Sequence, residues 1–220
     1  MSSRVILEVQ GLKAAYQGTP VLQGANFSVR RGETIAIIGR NGVGKTTLMR
    51  CLMGLLPAVS GSVVYLDNDI TTLPPNERAR RGIGYIPQGR GLFPRLTVAE
   101  NLTVGELVGG RNKKKLYELI YEFFPILAER SGQQAGTMSG GQQQMLSIAR
   151  ALVGGPELVL LDEPSEGIQP SVVHEISKNM RGISERLNMT IILVEQNIGL
   201  IRSMAERCFV MDKGRITDEL

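Results

Sequence analysis

Histidine and cysteine are scarce in this chain, which has one histidine and two cysteines among its 220 residues. The only histidine is His174, so a metal site built from several histidines is excluded. The cysteines, Cys51 and Cys208, show neither the spacing of a metal site nor a disulfide framework. Cys51 lies in the mostly apolar stretch 49–56 and is predicted to be a small buried hydrophobic residue.

Long apolar runs are also missing. The first ten residues lack the apolar stretch of about 7–15 residues that marks a secretory signal. No run in the chain approaches the roughly 18 apolar residues of a membrane-spanning helix. We therefore expect a soluble, cytoplasmic chain that can still bind a membrane through a partner.

An excess of charge of one sign is missing too. The net charge is +4 and charged residues make up 21% of the chain. This balance argues against a disordered acidic or basic tail, and the chain has no internal repeats or low-complexity segments. One basic stretch is interpreted as the solvated start of an amphipathic helix: Arg111, Lys113, Lys114 and Lys115.

Apolar residues are plentiful, at 42% of the chain, which is enough for the core of one large domain. Three short apolar runs, 34–38, 158–161 and 191–194, do not alternate with polar residues. Continuous apolar strands are expected where helices cover both faces of a parallel sheet. The first 30 residues alternate instead, which predicts an antiparallel sheet with one solvated face. Residues 208–217 predict a closing hairpin.

The middle of the chain, from about Val98 to Leu152, has a helical pattern. Several apolar residues there recur on one face of a helix: Leu116, Leu119, Ile120, Phe123 and Leu127. We interpret residues 98–150 as a helical insertion between the two parts, 1–97 and 151–220, of an α/β core.

The first motif runs from Gly39 to Thr46 and reads Gly-Arg-Asn-Gly-Val-Gly-Lys-Thr, directly after an apolar strand. Its glycines let consecutive N–H groups turn around phosphate oxygens, and a following helix adds the partial positive charge of its N-terminus. Lys45 would reach the β- and γ-phosphates of a nucleotide, and the Thr46 hydroxyl would bind Mg²⁺. The alternative is a chance glycine-rich turn. The helix is predicted from three leucines at helical spacing, Leu48, Leu52 and Leu55.

Two carboxylates, Asp162 and Glu163, follow the apolar run 158–161. In an open α/β sheet the carboxyl end of a strand faces the ligand crevice. Phosphoryl transfer needs a carboxylate that holds the metal and a residue that positions the nucleophile. We assign Asp162 to Mg²⁺, through water, and Glu163 to orienting or deprotonating the attacking water. The alternative is an ordinary strand end with solvated acids.

The third motif, Ser-Gly-Gly-Gln at 139–142, lies upstream of that strand and is followed by a helix. It can present a hydroxyl, N–H groups and a helix N-terminus to an anion, although alone it is also compatible with a flexible loop. Together the three motifs resemble the nucleotide-binding subunit of an ABC (ATP-binding cassette) transporter, over essentially the whole chain.

This resemblance implies an α/β fold: a P-loop NTPase (RecA-like) core with an N-terminal antiparallel β subdomain and an inserted α-helical subdomain that carries the signature loop 139–142. It implies ATP and Mg²⁺ as cofactors and two such subunits packed head to tail. Each ATP would lie between one P-loop and the partner's signature loop, so Ser139 and Gly141 would act in trans.

The resemblance also assigns roles to single residues. The implied catalytic residues are Glu163, Gln196 and Lys45, and the implied Mg²⁺ contacts are Thr46, Gln88 and Asp162. The implied nucleotide contacts are Tyr16, Gly39, Asn41, Gly42, Gly44, Lys45, Thr46, Thr47, Ser139, Gly140, Gly141 and Gln142. Tyr16 matches the aromatic residue that stacks on adenine, and its alternative is an ordinary strand aromatic. Gln88 matches the glutamine that senses Mg²⁺ and faces the membrane partner, and its alternative is a surface-loop glutamine.

Two positions depart from the family pattern. Gln169 stands where most members have aspartate, and Gln196 replaces the usual switch histidine at the γ-phosphate. A glutamine amide can donate a hydrogen bond but cannot carry a proton charge. We therefore expect ATP binding to be retained and hydrolysis at this chain's own P-loop to be slower. The alternative is that Gln196 serves as well as histidine, by donating one hydrogen bond to the γ-phosphate. We also expect a non-identical sister ATPase as partner, although pairing with a second copy stays open.

The stretches 87–90, 92–97 and 194–197 resemble the smaller ATPase of branched-chain amino acid importers, and 166–170 is most similar to the urea and short-chain amide type. The leading hypothesis is an ATPase that energises solute uptake through separate permease subunits at the cytoplasmic face of the membrane. A solute-binding protein would be an indirect partner. The alternatives are a soluble ABC ATPase acting on nucleic acid or ribosomes and a nucleotide-dependent regulatory module. We expect no nucleic-acid partner, because such relatives usually carry two cassettes or a long coiled-coil insertion.

Overall fold

The computed structural model describes residues 4–108 and 113–220. The strands of these residues are β1 Val5–Tyr16, β2 Thr19–Arg30, β3 Thr34–Ile38, β4 Ser60–Tyr65, β5 Asn68–Asp69, β6 Ile83–Ile86, β7 Leu158–Asp162, β8 Thr190–Val194, β9 Arg207–Asp212 and β10 Arg215–Glu219. The α-helices are α1 Lys45–Met53, α2 Pro75–Arg80, α3 Val98–Glu106, α4 Lys113–Phe123, α5 Pro125–Glu129, α6 Gly140–Leu152, α7 Pro170–Leu187 and α8 Ile198–Met204. A short 3₁₀ turn, Ala135–Thr137, precedes α6.

The larger sheet has the strand order β10-β9-β3-β8-β7-β6. From β9 to β6 the neighbours are parallel, and β10 closes the sheet as an antiparallel hairpin with β9. The predicted apolar runs form β3, β7 and β8, and every residue of β7 and β8 is buried. Alternate residues enter two cores. Leu158 and Leu160 pack with α1 and the smaller sheet, whereas Val159 and Leu161 pack with the helices on the other face.

The smaller sheet is antiparallel, with the order β2-β1-β4-β5. The predicted alternation appears in β1, where Leu7, Val9 and Leu12 are buried and Glu8 and Gln10 are exposed. The alternating pattern predicts this sheet for the first 30 residues only. In the structure, β4 and β5 extend it, so the antiparallel part draws on two separate segments of the chain.

Two expectations about helices are corrected, one in the helical middle of the chain and one at α1. The apolar face that was expected to continue from Leu116 to Leu127 belongs to two helices, because α4 ends at Phe123 and α5 begins at Pro125. A proline disfavours the helical conformation in the residue before it, and Phe124 accordingly has φ −128° and ψ 66°. Leu55 was expected on the helix after the glycine-rich loop, but α1 ends at Met53 with the left-handed Gly54 as its C-cap.

The division into 1–97, 98–150 and 151–220 stays a prediction, and α6 runs through its boundary at 150. Of the basic stretch, Arg111 lies outside the described residues, and Lys114 and Lys115 are exposed. Cys51 is buried as predicted, and burial raises the pKa of its thiol to about 11. Within the described ranges, none of the helices has the length and hydropathy needed to span a bilayer.

Neighbouring parallel strands bring the glycine-rich loop, the loop after Asp162 and the loop after Val194 together. The strands β3, β8 and β7 are adjacent, and the segments after them begin at Gly39, Glu195 and Glu163. Because parallel strands end at the same edge of a sheet, these loops lie side by side at its carboxyl edge. The β9–β10 turn supports the first loop, since the N–H of Gly214 donates to the carbonyl of Val43 at 2.9 Å.

Candidate functional site

A cavity of about 310 Å³ opens at the start of α1. Its lining residues are Val21, Asn41, Gly42, Gly44, Lys45, Thr46, Thr47, Gln88 and Glu163. Gly44 precedes the helix with φ +109°, a left-handed conformation that glycine adopts without strain. The N-terminus of α1 has no side-chain cap, so its first N–H groups and their partial positive charge are available to an anion.

Lys45 lies deep in this site, with 5% of its surface exposed. Its Nζ donates to the carbonyl oxygens of Gly39 at 2.9 Å and Arg40 at 3.2 Å, across the loop that precedes α1. The same Nζ is 3.7 Å from Oε1 of Glu163. The ammonium group is therefore held between the glycine-rich loop and the end of β7, where an anionic ligand in the cavity can bind it.

Asp162 is buried, with 1% of its surface exposed, and contacts two hydroxyl groups. Thr46 Oγ1 donates to its Oδ1 at 3.1 Å, and Tyr85 Oη donates to its Oδ2 at 3.3 Å. Burial raises the pKa of Asp162 to about 6, and the nearby charge of Glu163 adds to this shift, while both hydrogen bonds oppose it. A buried carboxylate that is incompletely stabilised, beside a hydroxyl, is a donor set that suits Mg²⁺.

Glu163 occupies the first position after β7 and is only partly exposed. Its Oε1 accepts a hydrogen bond from Nε2 of Gln196 at 3.0 Å, and its Oε2 accepts one from Nε2 of Gln88 at 3.4 Å. The carboxylate therefore has an amide on either side and the Lys45 ammonium at 3.7 Å. This arrangement fixes the direction of a group that is able to accept a proton from water.

Gln196 bridges the glycine-rich loop and Glu163. Its Nε2 donates to Oδ1 of Asn41 at 2.8 Å as well as to Glu163 at 3.0 Å. The structure thus joins three predicted site residues through one amide. Gln169, the other departure from the family pattern, is exposed and lies at the N-cap of α7 without a side-chain capping hydrogen bond.

Gln88 lines the same cavity, but its hydrogen bonds go to glutamates and not to the Thr46–Asp162 pair. Its Nε2 donates to Oε2 of Glu166 at 3.0 Å and, more weakly, to Glu163 at 3.4 Å. The predicted contact of Gln88 with Mg²⁺ therefore stays a prediction, whereas its position beside the carboxylate of Glu163 is observed.

Tyr16 ends β1 and does not line the cavity defined by the described residues. Its ring lies against the guanidinium of Arg50 on α1, with 5.9 Å between the ring centroid and the Arg50 carbon. Tyr16 as a whole is 37% exposed. Tyr16 is therefore beside the helix that carries the cavity, with part of its surface open to a flat aromatic ligand.

The signature loop forms the start of α6. Ser139 is the N-cap, its Oγ accepts from the N–H of Gln142 at 3.3 Å, and the Gln142 side chain accepts from the N–H of Ser139 at 3.1 Å. Within the described part of the chain, none of the residues 139–142 lines the cavity at Lys45. Gly141 packs closely on Val172 of α7, where an added Cβ would lie 2.6 Å from Cγ1.

Three residues of this site were not assigned from the sequence. Tyr85 donates to Asp162, Glu166 accepts from Gln88, and Glu195 accepts four hydrogen bonds behind Gln196. Glu166 and Glu195 lie in stretches that were singled out as unusual, so a signal was present without a role. Tyr85 carried no signal, because its contact with Asp162 depends on the pairing of β6 with β7.

A glycine-rich loop between a parallel strand and a helix, facing two carboxylates at the carboxyl end of another strand of the same sheet, defines a P-loop ATPase. The family model described as ABC transporter matches residues 22–166. The chain belongs to the ABC transporter family, as an ATP-binding subunit that hydrolyses ATP. The predicted family and fold class are thereby confirmed.

Two relatives and one solved structure are similar over nearly the whole chain. The high-affinity branched-chain amino acid transport ATP-binding protein BraG of Pseudomonas aeruginosa is 39% identical, covering 96% of this chain and 91% of that protein. A probable branched-chain amino acid transport ATP-binding protein, LivF of Archaeoglobus fulgidus, is 32% identical, covering 96% and 90%. The structure of cbiO1 from Clostridium perfringens, part of the ABC transporter complex cbiONQ, has a TM-score of 0.84 at 29% identity, covering 98% and 88%.

Proposed function

We propose that this chain energises the uptake of a small polar solute, by binding and hydrolysing ATP for separate permease subunits at the cytoplasmic face of the membrane. One observation carries the proposal. Side chains from four segments meet around one cavity: Lys45 and Thr46 of the glycine-rich loop, Gln88, Asp162 with Glu163, and Gln196. These are the cation, the metal-binding oxygens and the water-orienting groups that phosphoryl transfer requires.

Lys45 and the N-terminus of α1 bind the phosphates. Both present positive charge to the cavity, and the glycines at 39, 42 and 44 let the backbone approach the phosphate oxygens. Asn41 lies at the rim of the cavity and is fixed by Gln196 at 2.8 Å. Tyr16 stacks on the adenine from the end of β1, with the neighbouring Arg50 holding its ring.

Thr46 would hold Mg²⁺ through its hydroxyl, and Asp162 would hold it through water. When bound, the ion neutralises negative charge on the β- and γ-phosphate oxygens. The raised pKa of Asp162 supports this role, because a cation beside the buried carboxylate offsets the cost of its charge. Tyr85 keeps the second carboxylate oxygen of Asp162 directed away from water by donating its own proton at 3.3 Å.

Glu163 orients the attacking water and accepts its proton. The amides of Gln88 and Gln196 lie on opposite oxygens of this carboxylate and fix its plane. Gln196 also donates a hydrogen bond to the γ-phosphate. Because a glutamine amide stays neutral, it provides this contact without a proton charge.

The signature loop completes the site of a second subunit. Ser139 and the start of α6 are directed to the partner's ATP in a head-to-tail dimer, since they lie outside this chain's own cavity. The capping box of Ser139 and Gln142 fixes the first turn of α6, so that the loop is held in a conformation that can bind an anion. The partner is a sister ATPase or a second copy of the chain.

The permease docks on an apolar groove of about 400 Å³ beside the cavity. Tyr85, Leu55, Phe93 and Val108 line it, and the last three are each 46% exposed. Arg150 of α6 also lines the groove, with its guanidinium carbon 5.5 Å from the centroid of the Phe93 ring. A helix in a cytoplasmic loop of a permease fits such a groove. The described assembly of cbiO1 in a transporter complex supports a permease partner.

Two solute classes are supported by different observations. The names of BraG and LivF support a branched-chain amino acid. The resemblance of residues 166–170 and 88–97 favours urea or a short amide over leucine-like amino acids. A solute-binding protein delivers either solute to the permease.

Uptake and co-purification test the proposal. We expect the chain to co-purify with an integral membrane protein, and deletion of its gene to abolish uptake of labelled leucine or of labelled urea. Reintroducing the Glu163→Gln variant should not restore uptake, whereas the wild-type chain should. Loss of leucine uptake with urea uptake intact would contradict the urea preference. Co-purification with ribosomes or nucleic acid, with both uptakes intact, would contradict the transport function.

A further inference from the structure

Glu195 is a buried carboxylate at the end of β8, with 3% of its surface exposed. Its Oε1 accepts hydrogen bonds from Ser165 Oγ at 2.8 Å, from the N–H of Gln196 at 2.9 Å and from the N–H of Asn197 at 3.1 Å. Its Oε2 accepts from the N–H of Ser165 at 3.2 Å. Burying a carboxylate is costly without such partners, so this set of four donors accounts for its presence in the interior.

The four donors come from two loops, and each loop carries a residue of the site. Ser165 lies two residues after Glu163, and Gln196 directly follows Glu195. The side chains of Glu163 and Gln196 meet at 3.0 Å. A single buried side chain thus fixes the backbone beneath both partners of that contact. Asn197 is further held because its side chain caps α8 by accepting from the N–H of Leu200 at 3.1 Å.

We propose that Glu195 is a positioning residue, which locks the loop 163–166 to the loop 195–197 and so sets the contact between Glu163 and Gln196. The inference rests on the proposed catalytic roles of those two residues. Glu195 acts through them and does not touch the substrate. Its own carboxylate is the fixed point, because hydrogen bonds to an ionised acceptor are about twice as strong as those between neutral groups.

The lock affects the rate of hydrolysis more than the binding of ATP. All four donors lie outside the glycine-rich loop 39–46, which provides the main phosphate contacts. A displacement of about 1 Å in a catalytic group can cost about 10²-fold in rate. We therefore expect Glu195→Ala to lower kcat about 10²-fold while the KM for ATP changes less than about threefold.

Glu195→Gln is the informative variant, because it keeps the shape of the side chain. Its oxygen can accept from the three donors at Oε1, but its NH₂ group faces the N–H of Ser165. We expect an intermediate fall in kcat, about tenfold, and a further readout that does not depend on activity. Hydrogen exchange should become faster at the amide of Ser165, which loses its acceptor, and at the amides of 196 and 197, because a neutral amide oxygen accepts more weakly than a carboxylate. The amides of β8 should stay protected.

Two controls separate positioning from general destabilisation. Glu33→Gln alters another buried glutamate, which accepts from the Arg30 N–H and pairs with Arg207, far from both loops. Ser177→Ala removes a serine hydroxyl that donates within α7, as a match for Ser165→Ala. Both controls should leave kcat and exchange at 196 and 197 unchanged. Ser165→Ala should lower kcat severalfold.

A double-mutant cycle tests whether Glu195 acts through Gln196. If Glu195 acts through Gln196, then Glu195→Gln should lower kcat much less in a Gln196→Ala background than in the wild type. An equal fall in both backgrounds, or a loss of ATP affinity as large as the loss of kcat, would overturn the inference. Unchanged exchange at 196 and 197 would also overturn it. If Gln196→Ala and Glu163→Gln both left kcat intact, the proposed catalytic roles would fail first, by a different measurement.

Discussion

Glu163 is fixed at its backbone as well as at its side chain. Its φ of +48° lies in the left-handed region, which a residue other than glycine adopts only where its surroundings hold it. Its N–H donates to the carbonyl of Val194 at 2.9 Å, while its carboxylate accepts from two amides. This backbone conformation turns the carboxylate from the end of β7 into the cavity, which is where a general base has to be.

The change Glu163→Gln should separate binding from hydrolysis. It keeps the size of the side chain and one acceptor oxygen but removes the base, which typically contributes about 10²–10⁴-fold to the rate. We expect ATP affinity within a few-fold of wild type and turnover lower by about that factor. Glu166→Gln is the matched control, because Glu166 also accepts from Gln88 but lies outside the proposed chemistry. Equal losses in the two variants, or wild-type turnover in Glu163→Gln, would contradict the assignment.

At the scale of elements, α1 is held at both ends by distant parts of the chain. The buried Arg78 of α2 donates to the carbonyls of Cys51 and Leu52 at 2.8 Å, near the C-terminus of α1. At the other end, the turn between β9 and β10 reaches the glycine-rich loop, where Gly214 donates to the carbonyl of Val43. The phosphate-binding loop therefore depends on the last hairpin of the chain for its shape.

Gly214→Ala should disturb that support. Gly214 has φ +75°, and an added Cβ would collide with the backbone oxygen of Val21. Gly18→Ala is the control, since Gly18 has a similar φ of +85° but open space around its Cα. Both variants pay for the left-handed backbone, roughly 1–2 kcal/mol. We expect Gly214→Ala to lose about 1–3 kcal/mol more in the free energy of unfolding, by urea denaturation, and also to lose ATP affinity. Equal effects in both variants would contradict this support.

The sequence was sufficient for the elements whose signal is local. The sequence predicted β3, β7 and β8, because a strand that is buried on both faces has a continuous apolar run. It also predicted the glycine-rich loop, whose motif is contiguous in sequence. The break at Phe124 was missed because the apolar period continues across it. The role of Glu195 was not predictable, since its donors at Ser165 lie 30 residues away in sequence and meet it only through the pairing of β7 with β8.

At the scale of the whole molecule, the site in one chain is one half of a larger arrangement. Lys45, Thr46 and Glu163 line the cavity, with Asp162 behind Thr46, whereas the signature loop 139–142 lies outside it. The loop begins α6, a helix whose buried face packs into the core of the helical side. We therefore expect the signature loop of a second subunit to close the cavity.

A single negative charge at the signature loop should block dimer formation. In the Glu163→Gln background we expect ATP to drive dimer formation, measured by size-exclusion chromatography with light scattering. Adding Ser139→Asp should prevent it, because aspartate still caps α6 but brings negative charge against the partner's ATP. Thr97→Asp is the control, since Thr97 caps α3 with the same capping-box geometry. Dimer formation by the Ser139→Asp variant would contradict action in trans.

A non-identical sister subunit should carry the faster site. Gln196 and Gln169 are the reasons, since Gln196 is proposed to contact the γ-phosphate and the family resemblance implies that Gln169 lies where dimers communicate between sites. In a complex with sister and permease, we expect the general-base variant of the sister to reduce turnover more than Glu163→Gln in this chain. Equal losses, or brisk ATPase activity from this chain alone, would contradict the asymmetry.

The position of Tyr16, at the end of β1 against Arg50, is suited to a fluorescent reporter of nucleotide binding. The chain contains no tryptophan. Tyr16→Trp would therefore introduce the only indole, on a ring that is partly open to solvent and beside the helix that carries the P-loop. Emission in the indole band would come from this one position. Its change with ATP concentration would report occupancy of the site without a label on either molecule.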